Sequence, residues 1–272
     1  MNNRADIIQE ARKESASRFA GQQNHYSLKQ KLALTCRILF AEGHTANDTL
    51  AGQITARCED SQGHLAMWTQ PFGATLAEIE AKDYLKINRK LQTIEGDGIP
   101  NKANNFHLFV YEKRPDVQAI IHTHPRYASI LSLLGQALKI VHMDTMGLYD
   151  DIAFLPEWPG VPFGDEEGVI ITNGLGDKNS ILLAHHGLLT VGRTVEEACY
   201  RAYYFEKAAE QQVRAISTGL KIKDVNRDFA IQARDWKLSD GPLLARFYSW
   251  VRKILKESES CLNETESTST LS

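Results

Sequence analysis

The sequence predicts a mixed α/β layered fold, and three observations carry that reading. Short apolar runs of strand length alternate with longer segments of helical period along the 272 residues. One run, Asp116–Thr123, is dense in β-branched and apolar residues, the signature of a buried strand. One long segment, Thr194–Ser217, carries an apolar stripe through Val195, Ala198, Ala202, Phe205, Ala209, Val213 and Ile216, with Thr194 and Glu197 spaced as a capping box.

The elements follow in order. Residues 3–20 and 26–42 suit helices, the second stopped by Gly43. Leu50–Arg57 and His64–Thr69 suit short strands around a turn at Ser61-Gln62-Gly63. Asn105–Arg114 reads as a helix that ends before Pro115. The strand Asp116–Thr123 is broken by His124-Pro125, and Arg126–Leu134 is a short helix. Ile152–Leu155, Ser180–Ala184 and Leu188–Val191 read as strands, the last two separated by a turn at Gly187. The strand–helix crossovers are too irregular for a doubly wound parallel sheet. Residues 1–26 form a helical extension, 27–250 a single domain, and 257–272 an acidic Ser/Thr-rich tail whose composition predicts disorder.

Composition excludes several classes of function. The chain is 43% hydrophobic and 24% charged, enough to bury a sizeable core. A net charge of −3 gives no electrostatic footprint for nucleic acid or an anionic membrane. No apolar run approaches the ~20 residues of a membrane span, and the start has no apolar signal core. Cys36, Cys58, Cys199 and Cys261 are scattered without CxxC spacing and read as reduced thiols, which together predicts a cytoplasmic protein.

Two segments carry the chemistry. In Ile120-Ile121-His122-Thr123-His124-Pro125, strand alternation puts His122 and His124 on one face, where two imidazoles can grip one ion. In Leu182-Leu183-Ala184-His185-His186-Gly187, an apolar strand again runs into histidines, but neighbours point to opposite faces, so at most one of them joins the first pair. Three neutral imidazoles with open positions are the ligand set of a catalytic zinc or a similar divalent ion. His25, His44 and His64 lack such a context and read as solvated or capping side chains.

These segments and their order resemble the class II aldolase/adducin family. The resemblance runs from about Ser27 to Gly219 and rests on AGQITAR (51–57), TQPFGATLAEIEAKDYLKI (69–87), NNFHLFVYEKRPDVQAIIHTHP (104–125), HMDTMGLYDDIAF (142–154) and ILLAHHGLLTVGRTVEEA (181–198). It implies a three-layer αβα fold with a central, mainly antiparallel sheet, and a homotetramer with active sites between subunits. It also implies one divalent metal ion on His122, His124 and His186, Zn2+ in the first place with Fe2+ or Mn2+ as alternatives, and leaves His185 outside the ligand set.

The departures from the family pattern are as informative. The family's catalytic acid position is Ala103, its paired serines are Asn101 and Lys102, and the Asn of its phosphate loop is Gln53. Gln53, Asn101 and Lys102 are accordingly the expected substrate-binding residues. His142-Met143-Asp144 resembles the H-x-D segment of the family's epimerases, in which the acid reaches a neighbouring subunit's metal site. Asp144 is therefore the expected acid/base, with Tyr149 as a phenolic proton donor. The resemblance implies a metal-dependent lyase on a small hydroxy-carbonyl substrate, by aldol cleavage, epimerisation or decarboxylation. A non-haem iron oxygenase and a non-catalytic adducin-like module are the alternatives.

Overall fold

The computed structural model describes residues 3–19, 21, 25–44, 52–160 and 164–264. Helices α1 (Arg4–Phe19) and α2 (Leu28–Ala41) come first. Strands β1 (Gln53–Glu59), β2 (Leu65–Thr69), β3 (Leu85–Asn88) and β4 (Thr93–Glu95) follow. Helix α3 (Asn104–Lys113) leads into β5 (Ala119–Thr123) and α4 (Arg126–Leu133). Next are β6 (Ile152–Leu155), α5 (Asp165–Leu175), β7 (Ser180–Leu183) and β8 (Leu188–Gly192). Helices α6 (Val195–Ile216), α7 (Arg227–Lys237) and α8 (Asp240–Leu255) complete the described chain.

The strands form one eight-stranded sheet in the order β4-β3-β2-β1-β5-β8-β7-β6. Every neighbouring pair is antiparallel except β6 and β7, which need a crossover to run parallel, and α5 supplies it. Alternation along the central strands feeds two separate cores. On β5, Ala119 and Ile121 join the apolar cluster built with α2, α6 and α8, while Ile120 joins the one built with α3 and α5. On β1, Ile54 and Ala56 point to the first cluster, and Thr55 points the other way to meet α3. Helices thus cover both faces, giving the three-layer αβα arrangement. All five residues of β5 are buried, and each large aliphatic among them contributes roughly 1.5–3 kcal/mol by leaving water.

The elements missed in the sequence have local reasons. β3 and the edge strand β4 are only four and three residues long and carry Lys86, Asn88 and Glu95, too short to register as alternation. Helix α5 contains two glycines, normally a helix penalty. At Gly168 the glycine is a packing requirement, because a Cβ would lie 2.5 Å from the Phe109 ring of α3.

Three expectations are corrected. The first part of the acidic tail is ordered: Cys261 is buried, Lys82 N donates to Asn263 O at 2.7 Å, and Gln30 Nε2 donates to Leu262 O at 3.0 Å. Composition under-weighted the buried Cys261 and the partly buried Leu262; residues 265–272 lie outside the described residues. The boundary at 250 also falls inside α8, which runs to Leu255 and packs along α1, with Gly241 admitting Ser15. At the start of α6, Thr194 Oγ1 accepts from Glu197 N at 3.1 Å, but the Glu197 carboxylate turns to Arg193 N and Arg201 instead of closing a capping box. The expected strand start at Leu50–Ala51 lies outside the described residues.

Candidate metal centre

The histidines sit where β5 and β8 emerge side by side. His122 is the fourth residue of β5, paired with Leu189 of β8 on one side and Gln53 of β1 on the other. Its parity with Ile120 turns it toward α3, where Phe106 meets it edge-on at 5.2 Å between ring centres. His124 follows two residues on, keeps that face, and its Nε2 lies 3.1 Å from His122 Nε2.

The third ring is delivered by the β7–β8 turn. His185 adopts a left-handed conformation, φ 56°, which sends its side chain to solvent and turns His186 back toward the sheet. Gly187 then passes directly under the first pair. A Cβ there would lie 2.5 Å from Thr123 O and 2.6 Å from His124 Cδ2, so only glycine lets the two loops close. The His186 ring centre is 4.8 Å from that of His122 and 4.7 Å from that of His124.

The cluster fits a divalent cation. One ligand nitrogen from each of His122, His124 and His186 lies within 4.8 Å of the others. His122 Nδ1 lies 2.8 Å from Leu188 O; donation there assigns the proton to Nδ1 and leaves the Nε2 lone pair free. His186 Nδ1 is buried without a hydrogen-bond partner. Burial, aided by the nearby His186, His124 and His107 rings, holds His122 well below the usual imidazole range. Burial likewise lowers His124, and burial with the neighbouring His124 lowers His186 to about 4. All three rings are therefore neutral at pH 7, the protonation state a metal ligand needs.

The surrounding polar groups hold the strands and leave one acceptor free. Gln70 Oε1 accepts from Ile54 N at 3.0 Å, and Gln70 Nε2 donates to Gly52 O at 3.2 Å, pinning the start of β1. Gln53, opposite His122 in register, is buried, and its Oε1 has no partner. An unmatched buried acceptor costs roughly 1–3 kcal/mol, which a donor on a bound molecule would offset. Behind the cluster, Thr55 Oγ1 sits 2.8 Å from His107 Nδ1 and 2.9 Å from Tyr111 OH.

The other expected residues are placed elsewhere. Ala103 packs into the α3–α5 apolar cluster at the head of α3. Asn101 Oδ1 is used locally, accepting from Ala103 N at 2.9 Å, and Lys102 is exposed. Asp144 is 71% exposed on the turn Met143–Leu148, 3.6 Å from His142 Nδ1, with Lys237, Tyr200 and Tyr204 in its electrostatic reach. Tyr149 packs against the α2–α6–α8 core and lines a cavity of about 300 Å³ with Ile140, Leu148 and Val225. Neither Asp144 nor Tyr149 hydrogen-bonds to the histidine cluster of its own chain among the described residues.

Two buried groups near the cluster carried no usable sequence signal. His44 is buried, contrary to expectation, with Nδ1 2.9 Å from Thr123 Oγ1, because the turn after α2 brings it against the end of β5. Glu206, on α6, is only 5% exposed, and its carboxylate accepts from Tyr127 N and Ala128 N at the start of α4. Burial outweighs those two donors and pushes its carboxyl up to about 7.

A mainly antiparallel sheet between two helical layers, with three converging imidazoles at its strand ends, defines a class of architecture. Residues 30–213 match the class II aldolase and adducin N-terminal domain, and the chain belongs to that family. It is similar to the L-fuculose phosphate aldolase of Haemophilus influenzae, 29% identical over 208 residues, which cover 75% of this chain and 91% of that protein. It is also similar to alpha-adducin of Mus musculus, 29% identical over 196 residues, which cover 70% of this chain but 26% of that longer protein. In three dimensions it resembles the L-fuculose 1-phosphate aldolase of Glaciozyma antarctica PI12, with a TM-score of 0.75 at 28% identity over 86% of this chain and 91% of that one. Among the described residues no helix is long and apolar enough to cross a membrane.

Proposed function

We propose that the protein is a divalent-metal-dependent lyase of the class II aldolase type, acting on a small hydroxy-carbonyl compound. The observation that carries the reading is the convergence of His122, buried, with the partly buried His124 and His186, neutral and within 4.8 Å of one another. A divalent ion held there would polarise a carbonyl as a Lewis acid and favour loss of a proton or carbon substituent beside it. The all-nitrogen donor set suits Zn2+ better than the two-His, one-carboxylate arrangement usual for non-haem iron. Gln53 Oε1, buried and free beside His122, is suited to accept a hydrogen bond from a substrate hydroxyl.

The proton chemistry needs a base that Ala103 does not provide. Asp144 is proposed for it, with Tyr149 as proton donor and Asn101 and Lys102 toward the substrate's anionic end. The exposure of Asp144, whose ion pair and hydrogen bond among the described residues go to His142, supports action across a subunit contact in a homotetramer. Elemental analysis of purified protein, combined with a screen of hydroxy-carbonyl compounds with and without chelator, tests the reading. Zinc or manganese with chelator-sensitive turnover and no oxygen uptake is expected. Iron with oxygen consumption would replace it by an oxygenase, and absence of any metal by a binding module.

A further inference from the structure

We infer that Glu206 is a positioning residue that sets the relative placement of His124 and His186 by capping α4 from another helix. The inference rests on the metal-site reading above. Helix α4 begins two residues after His124, and its N-cap is Pro125, which has no side-chain acceptor. The cap comes from 79 residues away: Glu206 Oε1 accepts from Tyr127 N at 2.8 Å and Oε2 from Ala128 N at 2.9 Å. A carboxylate at this end also opposes the positive pole of the helix.

The last turn of the same helix holds the second histidine loop. Ser132 O accepts from His185 N at 3.2 Å, the residue before His186, and Ser132 is buried. Helix α4 is thus a short strut between the segment leaving His124 and the turn carrying His186. Its N-terminal end is fixed by one buried carboxylate. Removing that carboxylate frees two N–H groups and lets the strut tilt, and the two rings lose their common focus while the sheet that holds His122 stays in place.

A second anchor on α6 provides a built-in control. Gln212 Oε1 accepts from Lys139 N at 2.6 Å, and its Nε2 donates to Ala137 O at 3.1 Å. Like Glu206, it ties a segment after β5 to α6 with two hydrogen bonds, but beyond the far end of α4.

The test is titration of the metal-free full chain with Co2+, followed by the cobalt d–d absorption bands, on the parent protein and on Glu206→Leu, Glu206→Gln and Gln212→Ala. Glu206→Leu is expected to weaken Co2+ binding about 10–100-fold, the range typical for groups that orient ligands, and to alter the band pattern. Glu206→Gln, whose amide oxygen can serve only one of the two N–H groups, should fall between it and the parent, and decides the matter if Glu206→Leu does not fold. Gln212→Ala should keep the parent affinity and spectrum even where it lowers Tm. Parent-like binding in the Glu206 variants, or an equal loss in Gln212→Ala, overturns the positioning role. A parent protein that binds neither Co2+ nor Zn2+ overturns the metal reading itself, and this inference with it.

Discussion

Two sets of histidines in this molecule, one fully buried and one partly so, differ in how their ring nitrogens are placed. His44 and His107 are fully buried, and each places Nδ1 against a threonine hydroxyl, Thr123 and Thr55 respectively. In His122, His124 and His186, by contrast, the ring nitrogens face one another. Burial lowers the pKa in both sets, so burial and titration do not separate them. Convergence does: the three ring nitrogens of the cluster lie where one cation could bridge them, whereas the Nδ1 atoms of His44 and His107 each lie beside a hydroxyl and their Nε2 atoms are buried apart without a partner.

That difference can be broken or sharpened by experiment. The largest effect is expected at the cluster. His186→Ala should lower metal affinity by at least ~100-fold, since loss of a ligand exceeds the cost of losing its orienting partners. His185→Ala should leave affinity near that of the parent, because that ring points to solvent. Isothermal titration with Zn2+ checks both, and the reverse ranking would reassign the ligand.

Next comes turnover. Asp144→Asn should leave metal content intact and cut kcat by roughly 10²–10⁴, the usual contribution of a positioned acid or base. Co-production of Asp144→Asn with His122→Ala subunits should restore part of the activity if the carboxylate works across subunits. Full activity in Asp144→Asn alone would remove it from the mechanism.

The threonine-served histidines should behave as structural groups. His107→Ala leaves Thr55 short of one partner and should cost roughly 1–3 kcal/mol, read as a Tm decrease of several degrees, with metal content unchanged. Loss of metal in this variant would erase the contrast between the two sets.

The smallest effect is the pH dependence of the metal-free chain. Burial holds His44 and His107 at about 3, against ~6.5 in the unfolded chain. Between those values the unfolded chain binds more protons, so stability falls as pH falls through that window. In the metal-free chain the lowered His122, His124 and His186 add to this trend, while Glu206, raised to about 7, works the other way between ~4.5 and 7. Thermal denaturation from ~pH 7 to 4 should show a declining Tm, flattened in a His44→Gln/His107→Gln variant; identical slopes in parent and variant would exclude these two groups as the cause.

Much of the fold and part of the site are legible in the amino-acid sequence. Period-2 alternation fixes the parity of His122 and His124, because strand geometry leaves no other choice, and the observed pair shares one face. The stripe of α6 and the interruption at Pro115 are equally local signals, and their elements appear at Val195–Ile216 and Asn104–Lys113. Other features are silent for physical reasons. The glycines of α5 look like helix breakers until Phe109 is seen against Gly168. His44 carries no pattern of its own, and only the packing of the turn after α2 against Thr123 at the end of β5 buries it.

The sequence by itself determined the mix of strands and helices, the buried central strand and the pairing of His122 with His124, since those follow from short-range periodicity, while the three-layer order came from the family resemblance. Tertiary structure decided the rest. The choice of His186 over His185 depends on a left-handed residue and on the 2.5 Å clearance that only Gly187 allows. The cap on α4 depends on a carboxylate 79 residues away in the chain. Both are contacts between segments far apart in sequence, and no local pattern of residue types specifies which distant partner will arrive.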